Sequence, residues 1–84
     1  MTNVVIYTKD WCGYCQAAKR LLTQLGYQYQ EIDVTHDLAR YEEMKKKADG
    51  RRTVPQVFFD GTGIGGYTEL AALAEQDKLP KNAG

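Results

Sequence analysis

The sequence predicts an α/β fold: a mixed sheet of four strands with helices on its faces. Three observations lead there. Short β-branched and aromatic runs at Asn3 to Thr8, Gln28 to Val34 and Val57 to Phe59 alternate with stretches of helical period. A helix separates the first two strands, so they lie parallel in a right-handed βαβ unit. Asp60-Gly61 then turns the third strand directly into a short partner, Thr62 to Gly65. The predicted order is βαβαββα.

Each element has its own signal. Asn3-Val-Val-Ile-Tyr-Thr8 reads as a buried strand, and Lys9-Asp10-Trp11 forms the loop after it. From Gly13, the residues Tyr14, Ala17, Ala18, Leu21, Leu22 and Leu25 recur at steps of three and four, giving a helix with one apolar face that Gly26 stops. Thr35-His36-Asp37 is a helix-start cluster, followed by Leu38, Tyr41, Met44 or Lys45, and Ala48 at a weaker helical period, until Gly50. His36 is read as a surface loop residue without chemistry. Thr53-Val54-Pro55 leads into the third strand, and Gly65-Gly66 precedes a last helix marked by Tyr67, Leu70, Ala71 and Ala74. Leu79 to Gly84, with Pro80, reads as a helix end and a loose terminus.

Composition narrows the function. The chain has 84 residues, enough for a single domain over 1–84 with one modest core. Its formal net charge is zero, and Lys45-Lys46-Lys47 reads as a solvated helix face, so nucleic acid is not an expected partner. Met1 to Tyr7 enter a β-type run without the basic and apolar regions of an export signal, and no apolar run is long enough for a bilayer. The expectation is a cytoplasmic, monomeric protein with no membrane partner.

The two cysteines, in Trp11-Cys12-Gly13-Tyr14-Cys15, carry the chemistry. A bridge across two residues closes too short a loop to be a useful structural staple. Zinc fails on ligand count, because beyond the pair only His36 and carboxylates without ligand spacing remain. Redox use survives. At a helix start, unpaired N–H groups and the helix dipole favour a thiolate at Cys12, and such positions lower a thiol pKa from about 8.5 to roughly 3.5–7.5. Lys9 is close enough in sequence to help, whereas Asp10 opposes it unless its side chain points away. Cys15, one turn before Ala18, is expected on the inward side and less exposed.

Cys12-Gly13-Tyr14-Cys15 after the first strand, Thr53-Val54-Pro55-Gln56 before the third and Ile64-Gly65-Gly66 before the last helix form a combination that resembles the glutaredoxin family over essentially the whole chain. The resemblance implies a minimal thioredoxin-like fold and a glutathione-dependent thiol–disulfide oxidoreductase. It implies Cys12 as nucleophile and Cys15 as the resolving thiol. It also implies a cis Pro55 that presents Val54 to an extended cysteinyl peptide, and a site for the γ-glutamyl carboxylate of glutathione at Gly66, Tyr67 and Thr68. With Lys9, Tyr14, Thr53, Val54 and Pro55, these make the expected glutathione-binding set. Read without the family, Pro55 is an edge-strand proline and Thr68 a helix cap. Implied partners are glutathione and disulfide-containing or glutathionylated proteins, ribonucleotide reductase being typical of the family.

The chain departs from the family pattern at three places. Tyr67 stands where the family commonly has Cys. Tyr41 or Glu42 falls where Arg or Gln often holds the ligand's glycine carboxylate, which shifts that task to Lys9 with Arg40, Arg51 or Arg52 and predicts weaker glutathione affinity. Gly13 replaces a familiar proline and is similar to the Cys-Gly-x-Ser branch, which holds a [2Fe–2S] cluster across a dimer through its first cysteine, here Cys12. An iron–sulfur carrier is therefore one alternative. A redoxin reduced by thioredoxin reductase is another, since Trp11-Cys12-Gly13 also opens the thioredoxin active site, although the short chain and the Gly65-Gly66-Tyr67-Thr68 stretch argue against it.

Overall fold

The computed structural model describes residues 2–80, and the predicted order of elements stands. The strands are β1 (Val4–Thr8), β2 (Tyr29–Asp33), β3 (Gln56–Phe59) and β4 (Thr62–Gly65). The helices are α1 (Gly13–Gln24), α2 (Leu38–Lys47) and α3 (Tyr67–Glu75). The sheet runs β2-β1-β3-β4, with β1 and β2 parallel and the other two pairs antiparallel. Pairing β1 centrally, between its crossover partner and the hairpin, puts the chain emerging from its C-terminal end beside the loop that enters β3. Both cysteines follow that end.

Alternation along β1 divides the apolar residues between two layers. Val4 and Ile6 join Ala18 and Leu22 of α1, Leu70 of α3, and Tyr27, Val57 and Phe59 in the larger core. Tyr7 points the other way, into a smaller core with Val34, Phe58, and Met44 and Ala48 from the α2 side. The Tyr7 hydroxyl donates to Glu43 Oε2 at 2.6 Å, fastening α2 to β1. Burial, and then this bond, push the Tyr7 hydroxyl up to about 12.

Three apolar expectations are corrected. Tyr14, Leu25 and Leu38 are exposed, at 66%, 39% and 74%, although each falls on the helical period of its element. Tyr14 and Leu38 lie in the first turns of α1 and α2, ahead of Ala18 and Met44, the first residues of those helices' core stripes apart from Cys15. Leu25 is the C-cap of α1. The tail begins less loosely than its composition suggests: Leu79 packs on the larger core and the Tyr27 hydroxyl donates to the Pro80 carbonyl. The rest of the expected loose terminus lies outside the described residues.

Candidate functional site

Trp11 turns the chain from β1 into α1 with a φ of 58°, in the left-handed region that costs a non-glycine residue about 1–3 kcal/mol. Its side chain is wholly exposed. The loop is tied down by the Asp10 N–H, which donates to Thr35 Oγ1 at 2.8 Å. Cys12 then arrives as the N-cap of α1 with extended backbone, and its Sγ accepts the Cys15 N–H at 3.1 Å. A sulfur thus does the work that Ser, Asp or Asn usually does at a cap. Negative charge on that sulfur faces a backbone donor and the positive end of the helix.

Cys15 is 1% exposed, on the inward side as expected, while Cys12 is half-buried; both thiols are free. Burial pushes the Cys15 thiol up to about 12, and the hydrogen bond to Cys12 and the charge of that sulfur add to the effect. The two sulfurs therefore differ in access, and burial holds the proton on Cys15. Brief iodoacetamide treatment of the native reduced protein at neutral pH is expected to place one adduct, on Cys12, by peptide mapping. Equal labelling of Cys15 would contradict the asymmetry.

The same burial sets an alkaline limit. The folded-state pKa of Cys15 rises to about 12 from an ordinary 9.0, and that of Tyr7 to about 12 from 10.0. The native state keeps protons that the unfolded chain loses, so this contribution is full below the unfolded values and disappears as pH rises towards about 12. Urea midpoints of the reduced protein should fall steadily from about pH 9 upward, more so than in Cys15→Ala.

Across from Cys12, the Val54–Pro55 peptide is cis. The pairing of β3 with β1 runs no further than Gln56 opposite Tyr7, which leaves Val54 outside the ladder. Its carbonyl lies 3.8 Å from Cys12 Sγ and accepts from the thiol. Gln56, 2% exposed, sends its side-chain amide to the Thr53 carbonyl at 2.9 Å and to Thr53 Oγ1 at 3.2 Å, fixing the segment from below.

A groove of about 160 Å³ runs along this segment and gathers Tyr14, Thr53, Val54, Pro55, Gly66, Tyr67 and Thr68. The Tyr14 and Tyr67 rings stand 6.1 Å apart. Gly65 has a φ of 107°, and a Cβ there would lie 2.7 Å from Glu69 Oε1. At Gly66 a Cβ would lie 3.2 Å from the Pro55 carbonyl, so the start of α3 sits against the cis proline. The N-cap of α3 is Gly66 and not Thr68, which occupies the second helical position. Glu69 accepts the Gly66 N–H at 2.7 Å, and Tyr67 and Thr68, the first two helical positions, line the groove with the first-turn N–H groups that a helix leaves without an internal partner.

The predicted cations are distributed differently. Lys9 does not line the groove; its ammonium stands 4.7 Å from the centroid of the Tyr41 ring. Arg40 is paired with Glu43 at 3.2 Å. Arg51 lines the groove, with its Nε donating to the Ala48 carbonyl at 3.1 Å. Sequence reasoning missed the parts of Gln56 and Glu69. A polar residue opening an apolar strand, and a Glu three places after the helix-start glycine, were the available signals.

The sequence model of the glutaredoxin family matches residues 4–64. The chain is 49% identical over 73 residues to "Glutaredoxin 3" of Escherichia coli strain K12, an alignment covering 87% of each. The chain belongs to the glutaredoxin family. Glutaredoxins are redox oxidoreductases, and the glutaredoxin of Pseudomonas aeruginosa is similar too, at 43% identity over 94% of this chain and 93% of its own. Among solved structures, a glutaredoxin from Brucella melitensis covers the whole chain with a TM-score of 0.81 at 37% identity, and 94% of its own length is matched. A buckwheat glutaredoxin–glutathione complex covers 93% of this chain and 73% of its own, with a TM-score of 0.82 at 34% identity. The thioredoxin-like fold is thereby shown.

The donor set of this glutaredoxin does not fit a metal group within one chain. Among the described residues no three or more His, Cys, Asp or Glu side chains could hold a metal ion. Cys15 is buried, so of the two cysteine sulfurs only that of Cys12 is accessible, against the four sulfur ligands of a [2Fe–2S] cluster. Among the described residues no helix is long and apolar enough to cross a membrane.

Proposed function

We propose that this glutaredoxin is a glutathione-dependent thiol–disulfide oxidoreductase acting through Cys12 and Cys15. The observation that carries the reading is Cys12 Sγ at the α1 cap, beside a Val54 left outside the sheet and a groove that ends at the N-terminus of α3. Glutathione is an extended, anionic, thiol-bearing tripeptide. Its cysteinyl backbone fits an added strand at Val54. Its γ-glutamyl carboxylate fits the Tyr67 and Thr68 donors, with Glu69 set to receive the ammonium group, and Arg51 and Lys9 supply positive charge for the other end.

Two exchange sequences follow. With a glutathionylated protein, the Cys12 thiolate attacks the glutathionyl sulfur, the protein thiolate leaves, and a second glutathione attacks the same sulfur to give glutathione disulfide and regenerate Cys12. With a protein disulfide, Cys12 forms the mixed disulfide, Cys15 loses its proton and attacks the Cys12 sulfur, and the reduced protein departs from a Cys12–Cys15 disulfide. Two glutathiones then restore the dithiol and become glutathione disulfide. Burial keeps Cys15 a thiol in the resting state.

Protein substrates in this reading are glutathionylated or disulfide-bearing proteins, ribonucleotide reductase among the candidates, in the cytoplasm. The test is reduction of the oxidised protein by glutathione in one arm and by thioredoxin reductase with NADPH in the other. Rapid reduction by glutathione supports the reading; reduction by the flavoenzyme alone overturns it.

A further inference from the structure

Tyr41 stands where the family resemblance implies Arg or Gln, and its ring holds a cation. The Lys9 ammonium lies 4.7 Å from its ring centroid on one side and that of Lys45 5.5 Å away. The two ammonium groups are not equivalent. Lys45 is neutralised by Glu42 at 3.1 Å, whereas among the described residues Lys9 has no ion pair. The ring quadrupole is therefore what fixes the Lys9 charge in place.

The ring is itself anchored at the site. The Tyr41 hydroxyl donates to the Arg52 carbonyl at 3.2 Å, and Arg52 directly precedes the Thr53-Val54-Pro55 segment that reaches Cys12 Sγ. The ring's inner edge packs on the core of Tyr7, Val34, Met44, Ala48 and Phe58. Lys9 is three residues before Cys12 on the other side. One side chain of α2 thus touches both segments flanking the nucleophile, and the charge it holds has no ion pair among the described residues.

We infer that Tyr41 is a positioning residue for substrate binding: its ring stations the Lys9 ammonium on the α2 side of Cys12 to receive a carboxylate of the incoming thiol peptide. The inference rests on the glutathione reading above. Tyr41 does no chemistry and touches no substrate. A cation–π contact of this exposed kind is worth a factor of about two to five in binding.

The experiment is a double-mutant cycle in the glutathione-coupled reduction of a small mixed disulfide, with Tyr41→Leu, Lys9→Met and the double variant, and Tyr41→Phe as the variant that keeps the ring. Tyr41→Leu and Lys9→Met are each expected to raise KM for glutathione about two- to fivefold with kcat unchanged, and the double variant no further than the larger single. Tyr41→Phe, which keeps the ring over Lys9 but loses the bond to the Arg52 carbonyl, should raise KM less than Tyr41→Leu does. Lys9→Met lies on the exposed loop and guards against a folding effect at Tyr41. Additive effects, an unchanged KM in Tyr41→Leu, or a fall in kcat shared by Tyr41→Phe would overturn the inference while leaving the glutathione reading intact. A wild type that does not turn over with glutathione overturns both.

Discussion

Cys12→Ser is expected to abolish every disulfide exchange by the protein, and Cys15→Ser to abolish only one. A hydroxyl in the cap position still accepts the Cys15 N–H, so the fold is kept, but it does not attack a disulfide sulfur at neutral pH. The rate should fall by on the order of a thousandfold or more, as when other enzymes lose their nucleophile. In Cys15→Ser the glutathionyl route remains whole, because glutathione itself resolves the Cys12 mixed disulfide. Reduction of small glutathione mixed disulfides should persist at the wild-type order, while reduction of a protein disulfide stalls at the trapped intermediate. Assays of both substrates on both variants check this. Activity in Cys12→Ser, or loss of both reactions in Cys15→Ser, would reverse the assigned roles.

The second large effect lies in the core under the nucleophile's helix. Leu22 of α1 is completely buried among Val4, Ile6, Val57 and Leu70. Leu22→Ala removes its packing and leaves a cavity, at a cost of about 2–5 kcal/mol. Domains of this size have a total stability of about 5–15 kcal/mol, so a large share goes. At about 4–8 °C per kcal/mol the midpoint should fall by roughly 8 °C or more. Leu38→Ala is the control, since Leu38 is 74% exposed and should change stability by no more than about 0.5 kcal/mol. Thermal melts followed by circular dichroism compare them. Equal losses would mean that the apolar period of α2, and not the observed burial, describes the core.

That contrast shows what the sequence could and could not carry. The order of elements was legible because β-branched runs, helical periods and the Asp60-Gly61 turn are local signals, and each acts over a few residues. Cys12 and Cys15 were legible for the same reason: an i, i+3 pair at a helix start already separates an outward sulfur from an inward one. Periodicity gives the face of a helix but not where that face runs past the sheet, and so Tyr14, Leu25 and Leu38 looked like core. The Gly66 cap was half legible, since Glu69 stands at the spacing of a capping box, but Thr68 was the more familiar capping residue type. Lys9 over Tyr41 was not legible at all. It joins a loop to a helix far along the chain, and no local pattern encodes which ring an exposed ammonium will settle on.

The central claim is that Cys12, and no other atom of the chain, takes up the glutathionyl group. Incubating Cys15→Ser with glutathione disulfide and measuring its intact mass, followed by peptide mapping, tests it most directly. A single glutathionyl adduct located on Cys12 and released by added glutathione is the predicted result. An unmodified mass under the same conditions would contradict it.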